Sequence, residues 1–269
     1  MQGVVMSQTD ELGSRMKTQY ESRASLMLPR RTWTIVRVDG KAFHSYTRKL
    51  NHPYDDDFTV DMDSAAMALC KEAQGVAFAY GQSDEYSFLF TDFAKPGTDA
   101  WFDGKLQKID SISSSIFTAH FLKARFARGD ERPAYFDARA FTIPDPVEVE
   151  NYFIWRQTDA TRNSINMLAS DNFSSRELHG KSTNERQEML FTKDLNWNDI
   201  PTPNKRGRVI KQVEGYSMVT WEHKKTKELH TEEVISKVWT PDLDIPVFTK
   251  DRKYLQDLIP KMEDEDGST

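Results

Sequence analysis

The sequence predicts an α+β fold built on a split βαββαβ, ferredoxin-like unit and extended by C-terminal helices and a β-hairpin. Three observations predict it. TWTIVRV, residues 32–38, is β-branched and almost continuously apolar, as a central strand buried on both faces should be. Two further apolar and aromatic runs, 76–80 and 85–90, flank the turn-forming cluster Gly81-Gln82-Ser83-Asp84 and read as a hairpin. Helical spacing of apolar residues then appears between the first strand and this hairpin, and again after it.

Taken in order, residues 9–26 place Leu12, Met16 and Tyr20 four apart, which predicts an amphipathic helix lying on the body of the fold. The first strand stops at Asp39-Gly40. Phe58, Met62, Ala65, Leu69 and Ala73 predict a helix over 56–74, with Cys70 in or near its core face. After the hairpin, Ile109, Ile112, Ile116, Phe117 and Phe121 predict a helix over 108–127, and AYFDARAFTI, 134–143, the fourth strand. The resulting order, strand-helix-strand-strand-helix-strand, is the split βαββαβ pattern. Pro144 and Pro146 close this unit. Helical segments follow at about 147–169 and 182–191, the latter with a Ser182/Glu185 capping box. Residues 207–221 read as another hairpin, and Glu263–Thr269 as a fraying acidic tail. The expected layout is a catalytic domain over 1–146 with its N-terminal helix, a helical and hairpin extension over 147–262 packed on it, and the tail over 263–269.

Bulk properties narrow the functional classes. The 269-residue chain, with 38% hydrophobic residues, can bury a substantial core, and its net charge of -6 argues against a molecule wrapped all over in nucleic acid while leaving room for a local basic patch. A single cysteine forms no internal disulfide, and the opening residues do not read as a signal peptide, so a reducing, cytoplasmic location is expected. No apolar run approaches the ~20 residues of a membrane span. There is no Walker-type glycine loop, no zinc-like Cys/His spacing and no nucleophile elbow.

The chemistry concentrates at strand ends. In a split βαββαβ sheet the first strand lies beside the hairpin, so Asp39 is expected to face Asp84 at the turn, with Glu85 adjoining. Two carboxylates held together repel unless a proton or a cation relieves them. Mg²⁺ suits such a pair, because it binds through one or two carboxylates together with substrate phosphates. Turn residues bonding nearby backbone are the plain alternative for either Asp alone. Lys41, His44, Lys49, Lys105 and Lys108 are expected near the same end of the sheet, as cations for phosphate groups.

IVRVDGKAFHSYT and AYGQSDEYSFLF closely resemble the two signature segments of the tRNA-His guanylyltransferase superfamily, whose members extend RNA in the 3'-to-5' direction. The resemblance continues through FDARAF and WRQTDATRNSI, and DELGSRMKTQYE is similar to the bacterial-type, guanylyltransferase-like members. It implies a palm-like catalytic domain as in polymerases, two Mg²⁺ ions, ATP and GTP or another nucleoside triphosphate as substrates, tRNA as partner, and a homotetramer. It further implies that Asp39, the Gly40 carbonyl and Asp84 hold the metals, with Glu85 beside them. Lys41, Ala42, Phe43, His44 and Ser83 would contact the nucleotide, Lys105 and Lys108 would approach a triphosphate, and Arg139 and Asn163 would line the working face. Arg162 adds a cation there. One departure stands out: Thr161-Arg162-Asn163-Ser164 replaces the His-Ile-Asn-Asn segment of the eukaryotic enzymes. The expected activity is therefore template-directed repair of truncated tRNA 5' ends. Untemplated G addition to tRNA-His is the alternative, and a nucleotidyl cyclase or a non-catalytic RNA-binding module stand further off.

Overall fold

The computed structural model describes residues 8–95 and 97–262; the predicted acidic tail lies outside them. Its elements are α1 (Gln8–Met16), β1 (Trp33–Gly40), α2 (Phe43–Tyr46), α3 (Asp56–Glu72), β2 (Val76–Gln82), β3 (Glu85–Phe90), α4 (Leu106–Ala127), β4 (Phe136–Ile143), α5 (Pro146–Asn172), α6 (Ser175–Leu178), α7 (Thr183–Phe191), α8 (Thr202–Arg206), β5 (Arg208–Glu222), β6 (Leu229–Asp242) and α9 (Lys253–Leu258). All six strands form one sheet in the order β4-β1-β3-β2-β5-β6, and every neighbouring pair is antiparallel. The first four strands have the order of a split βαββαβ sheet, so the predicted fold class holds.

Strand periodicity explains the layers. On β1, Val36 and Val38 point to one face and join Met62 and Leu69 of α3 and Phe117 and Phe121 of α4. Ile35 points to the other face and joins Val149 and Phe153 of α5 and Leu255 of α9. Tyr86, Phe88 and Phe90 of β3 follow the first set, whereas Leu89 follows the second. The central strands are thus covered on both sides, which is why their sequences show little polar alternation. Cys70 is buried in the α3/α4 layer, where burial pushes its thiol pKa up.

The helix starts carry the expected chemistry. The Asp55 carboxylate accepts from the Phe58 N–H at 2.7 Å, and the Asp145 carboxylate from the Val147 N–H at 2.8 Å, with Pro146 in the first turn of α5. The Ser182/Glu185 capping box is formed.

Two expectations are corrected. The helical run at the N-terminal end continues from α1 through a π-helical turn over Lys17–Glu21 and a 3₁₀ turn over Ser22–Ala24, close to the expected 9–26, but it does not lie on the body: Leu12, Met16 and Tyr20 are 50%, 40% and 68% exposed. Its periodicity marks an apolar stripe that the described residues leave uncovered. Residues 207–221 are not a hairpin but one long strand, β5, whose partner β6 pairs with it from Val209↔Asp242 to Glu222↔Leu229. Gly215 lies inside this ladder opposite Ser236 instead of at a turn. Among the described residues, no helix is long and apolar enough to cross a membrane.

β5 is locked to the sheet at its first residue. Arg208 is fully buried, pairs with Asp63 of α3 and lies 5.2 Å from the Tyr86 ring, while the Tyr86 hydroxyl donates to the same Asp63 carboxylate. Just before it, Gly207 has φ +80°, and a Cβ there would fall 2.5 Å from the Gly81 carbonyl, so only glycine lets the chain pass so close to β2. Breaking a buried ion pair on one side strands the other charge. Replacing Asp63 with Leu is therefore expected to cost roughly 3–5 kcal/mol in urea unfolding, and Asp63→Leu with Arg208→Met together to recover most of that loss.

Candidate active site

The site is assembled where β1 ends against the β2–β3 turn. Gln82 and Glu85 pair across the hairpin, leaving a two-residue turn, Ser83-Asp84, with Ser83 in the left-handed region at φ 49°. The Gly40 N–H donates to the Asp84 carbonyl at 3.1 Å, which stitches the end of β1 to this turn. Gly40 must remain glycine, because a Cβ would stand 2.4 Å from the Phe43 ring. The next residue is fixed from the other side, the Lys41 N–H donating to the Tyr135 carbonyl at 2.8 Å. Ala42, at φ 56°, then opens α2. Lys41, Ala42 and His44 are exposed around this turn.

Phe43 borders the cleft beside the turn, but its ring points away from it. Its ring is buried among Tyr46, Phe58, Phe121 and Phe136, with centroids 4.8–6.0 Å away. Only its backbone can face a nucleotide; the side chain anchors the turn to the core.

Register decides which acids meet. Asp39 stands directly opposite Glu85 on one side and Asp137 on the other, so three carboxylate residues share one row on the α5 face of the sheet. Asp84 follows at the turn. Burial, reinforced by the Asp39 charge, raises the Asp84 carboxyl to about 6, against the opposing effects of its own backbone N–H, the Ser83 hydroxyl and His44. A carboxylate held so far above its usual range is one that a cation would favour. Among the described residues no group of three or more His, Cys, Asp or Glu side chains could hold a metal alone. Two carboxylates and a strand-end carbonyl nevertheless fit Mg²⁺, whose remaining positions are commonly filled by water and substrate phosphate.

Glu85 is engaged elsewhere. Both its oxygens accept from Arg156 of α5, Nε and Nη2 each at 2.8 Å. Burial raises its pKa while Arg156 and Arg37 pull it down. Glu85 thus stands beside Asp39 in the row of acids, but its carboxylate faces a guanidinium.

Two recesses adjoin the turn. A cavity of about 100 Å³ is bounded by Tyr54, Gln82, Ser83, Asn163 and Gly207 among others, and an open cleft of about 540 Å³ by His44, Ser83, Asp84, Met167 and Asp171 among others. Ser83 is common to both. Asn163 thus lies beside the turn, its amide donating to Asp159 at 3.5 Å. Met167 and Asp171, which the sequence reading passed over, follow Asn163 at helical spacing of four, and that period was the available signal. Arg162 faces solvent and pairs with Asp159. Lys49 is exposed and, with Lys41 and Tyr135, borders a further recess. Arg139, opposite Arg37 in the next row of the sheet, is exposed and donates to Asp137 at 3.2 Å.

Lys105 and Lys108 do not join them. The start of α4 sits by the other end of β1: Lys105 bridges to Met27, and Trp101 stacks on Phe90, which pairs with Thr34. The site end of α4 is Phe121, packed on Phe43, roughly 24 Å along the helix axis from Lys105. One chain cannot bring these lysines to Asp39 and Asp84.

The tRNAHis guanylyltransferase family model matches residues 13–144. A probable tRNA(His) guanylyltransferase of Dictyostelium discoideum is 30% identical over 81% of this chain and 92% of its own length. Among solved structures, a bacterial tRNA(His) guanylyltransferase-like protein in complex with ATP superposes with TM-score 0.79 at 38% identity, covering 92% of this chain and 98% of the other. A bacterial tRNA(His) guanylyltransferase-like protein in complex with GTP gives 0.75 at 36%, covering 93% and 99%. With these likenesses spanning the palm-type sheet and the acidic turn alike, the chain belongs to the tRNA(His) guanylyltransferase family.

Proposed function

We propose that this protein is a template-directed 3'-to-5' nucleotidyltransferase that adds nucleotides to the 5' end of truncated tRNA. The observation that carries the reading is the end of β1 stitched to the β2–β3 turn, which brings the strand end carrying Asp39 to Asp84, itself lining a cleft with His44, Ser83 and Asp171. The ATP- and GTP-bound relatives support nucleoside triphosphates as its substrates.

Asp39, Asp84 and the Gly40 carbonyl would hold two Mg²⁺ ions. When bound, the metals neutralise phosphate charge and favour ionisation of an attacking hydroxyl. The protein's own work is positioning and charge compensation. In the first step an oxygen of the RNA 5'-monophosphate attacks the α-phosphorus of ATP and pyrophosphate leaves. In the second, the 3'-hydroxyl of the incoming nucleotide attacks the activated 5' phosphorus, AMP leaves and the hydroxyl proton is released to solvent. Lys41 and His44, exposed beside the acidic turn, are placed to meet triphosphate oxygens. Ser83 borders the space for the nucleotide, and Asn163 and Arg162 present α5 to the RNA. Arg139 extends that face on the edge strand.

Thr161-Arg162-Asn163-Ser164, lacking the histidine of the eukaryotic members, favours choice of nucleotide by base pairing over choice by protein contacts. Untemplated G addition to tRNA-His is the second reading, favoured by the guanylyltransferase activity for which the relatives are named. Assembly into a homotetramer fits the uncovered apolar stripe of α1 and the far part of the β5–β6 ribbon, where Tyr216, Met218 and Ile235 are exposed. A cytoplasmic location is proposed from the single buried, unpaired cysteine.

Asp39→Asn and Asp84→Asn are each expected to slow nucleotide addition on the order of 100-fold or more with little change in thermal stability, measured by labelled NTP incorporation and by melting. Because Asp84 binds a cation only as the carboxylate, Mg²⁺ affinity should be strong above pH about 6 and fall as pH drops through that value; Mg²⁺ titrations at pH 7.5 and 5.5 check it. On 5'-truncated, monophosphorylated tRNAs of several identities, changing the opposing base from C to A should switch the preferred addition from G to U. Addition of G alone, confined to tRNA-His, would establish the second reading.

A further inference from the structure

One guanidinium joins the acidic turn to the helix that carries Asn163. Arg156 has a side chain only 5% exposed, and it donates to both oxygens of Glu85 at 2.8 Å. Its Nη2 also reaches Asp159 at 3.3 Å, and the Trp155 ring lies 4.5 Å from its guanidinium carbon. Asp159 in turn accepts from the Asn163 amide at 3.5 Å and from Arg162. A second guanidinium stands by: Arg37 Nε is 4.0 Å from Glu85 and has no hydrogen-bond partner among the described residues. Glu85 is the first residue of β3, directly after Asp84, and pairs with Asp39 across the sheet.

We propose that Arg156 and Glu85 are a positioning pair: Glu85 does not ligate metal but anchors α5, so that the turn holding Asp84 and the segment presenting Arg162 and Asn163 keep a fixed spacing. This rests on the nucleotidyl-transfer reading above and names residues that would align its two substrates. The geometry favours an anchor over a ligand. A planar guanidinium matched to a carboxylate by two parallel hydrogen bonds fixes both distance and orientation, which a lysine could not do. The pair is buried, so its members hold each other where water cannot substitute. Arg156 also extends the constraint beyond the pair, because Asp159 is held by the same guanidinium and sits one helical turn before Asn163. A shift of α5 would therefore be felt at Asp84 through Glu85 and at the RNA-facing side chains through Asp159.

The test compares Glu85→Gln, Arg156→Lys, Arg156→Met and the double variant Glu85→Met/Arg156→Met with Asp84→Asn as a reference for loss of a metal ligand. Melting temperature, half-saturating Mg²⁺ read from the Mg²⁺-ATP-induced shift in melting, kcat, and KM for NTP and for RNA are measured on the full chain. Glu85→Gln and Arg156→Met should each lower kcat or raise KM for RNA roughly 10–100-fold, the range for residues that orient ligands from behind. Half-saturating Mg²⁺ should stay within about twofold of wild type in both, and rise at least about tenfold in Asp84→Asn. The double variant should lose no more than the worse single one, since both cut the same link. Arg156→Lys should fall between wild type and Arg156→Met. A rise in half-saturating Mg²⁺ in Glu85→Gln matching that in Asp84→Asn would make Glu85 a ligand and overturn the proposal, as would losses that multiply in the double variant. Glu85→Gln and Arg156→Lys keep polar contacts in place, so at least these remain folded for the comparison. Absence of RNA extension by the wild-type protein would instead count against the nucleotidyl-transfer reading, while the Mg²⁺ shifts would still decide whether Glu85 is a ligand.

Discussion

A single backbone hydrogen bond, from the Gly40 N–H to the Asp84 carbonyl, sets the whole site. It closes the gap between the end of β1 and a two-residue turn, and so fixes how near the acids of the two elements lie. It can form only because Gly40 has no side chain where the Phe43 ring must pack. Phe43 in turn sits in an aromatic cluster drawn from α2, α3, α4 and β4. The core and the site are therefore one construction: the rings that stabilise the α3/α4 layer also hold the chain that carries Lys41 and His44. Burying each such ring contributes roughly 1.5–3 kcal/mol, far more than any exposed contact at the cleft.

The electrostatics follow from the same closeness. Asp84 is partly buried at the turn, and Asp39 adds like charge, so its carboxyl is raised to about 6, above the usual carboxylate range. Glu85 is more deeply buried but has Arg156 to compensate it. Two adjacent acids in one hairpin are thus given opposite circumstances. One is left wanting a cation and the other already has one, because Asp84 belongs to the turn while Glu85, the first residue of β3, faces Arg156 of α5.

Much of this architecture was legible because it is periodic. The strands at β1 and β3 announced themselves as unbroken apolar runs, and α3 and α4 as helical stripes whose members are buried as expected. The acids Asp39 and Asp84 were legible as charges placed where apolar strands stop. Register was not legible: nothing in FDARAF says that Asp137 will stand opposite Asp39, or in WRQ that its arginine will reach Glu85 across the sheet. Distance along the chain also misled. Lys105 and Lys108 sit at the start of the helix whose far part reaches the site, but a helix this long carries its two ends to opposite ends of the strands. The N-terminal stripe was correctly seen as amphipathic, yet amphipathicity cannot say whether the apolar side meets this chain or another surface.

The two sides of the cleft rest on very different ground. Asp39 belongs to a strand packed front and back, where nearly any exchange of a neighbouring residue disturbs a filled core. Arg162, Met167 and Asp171 are at least partly exposed along α5, where substitution typically shifts stability by no more than about 0.5 kcal/mol. On the proposed reading, the reacting half of such an enzyme is rigid in its inheritance, while the half proposed to meet the RNA is free to drift. Relatives sharing one acidic turn can in this way come to serve different RNAs by changing a few residues of a single helix, with the chemistry passed on intact.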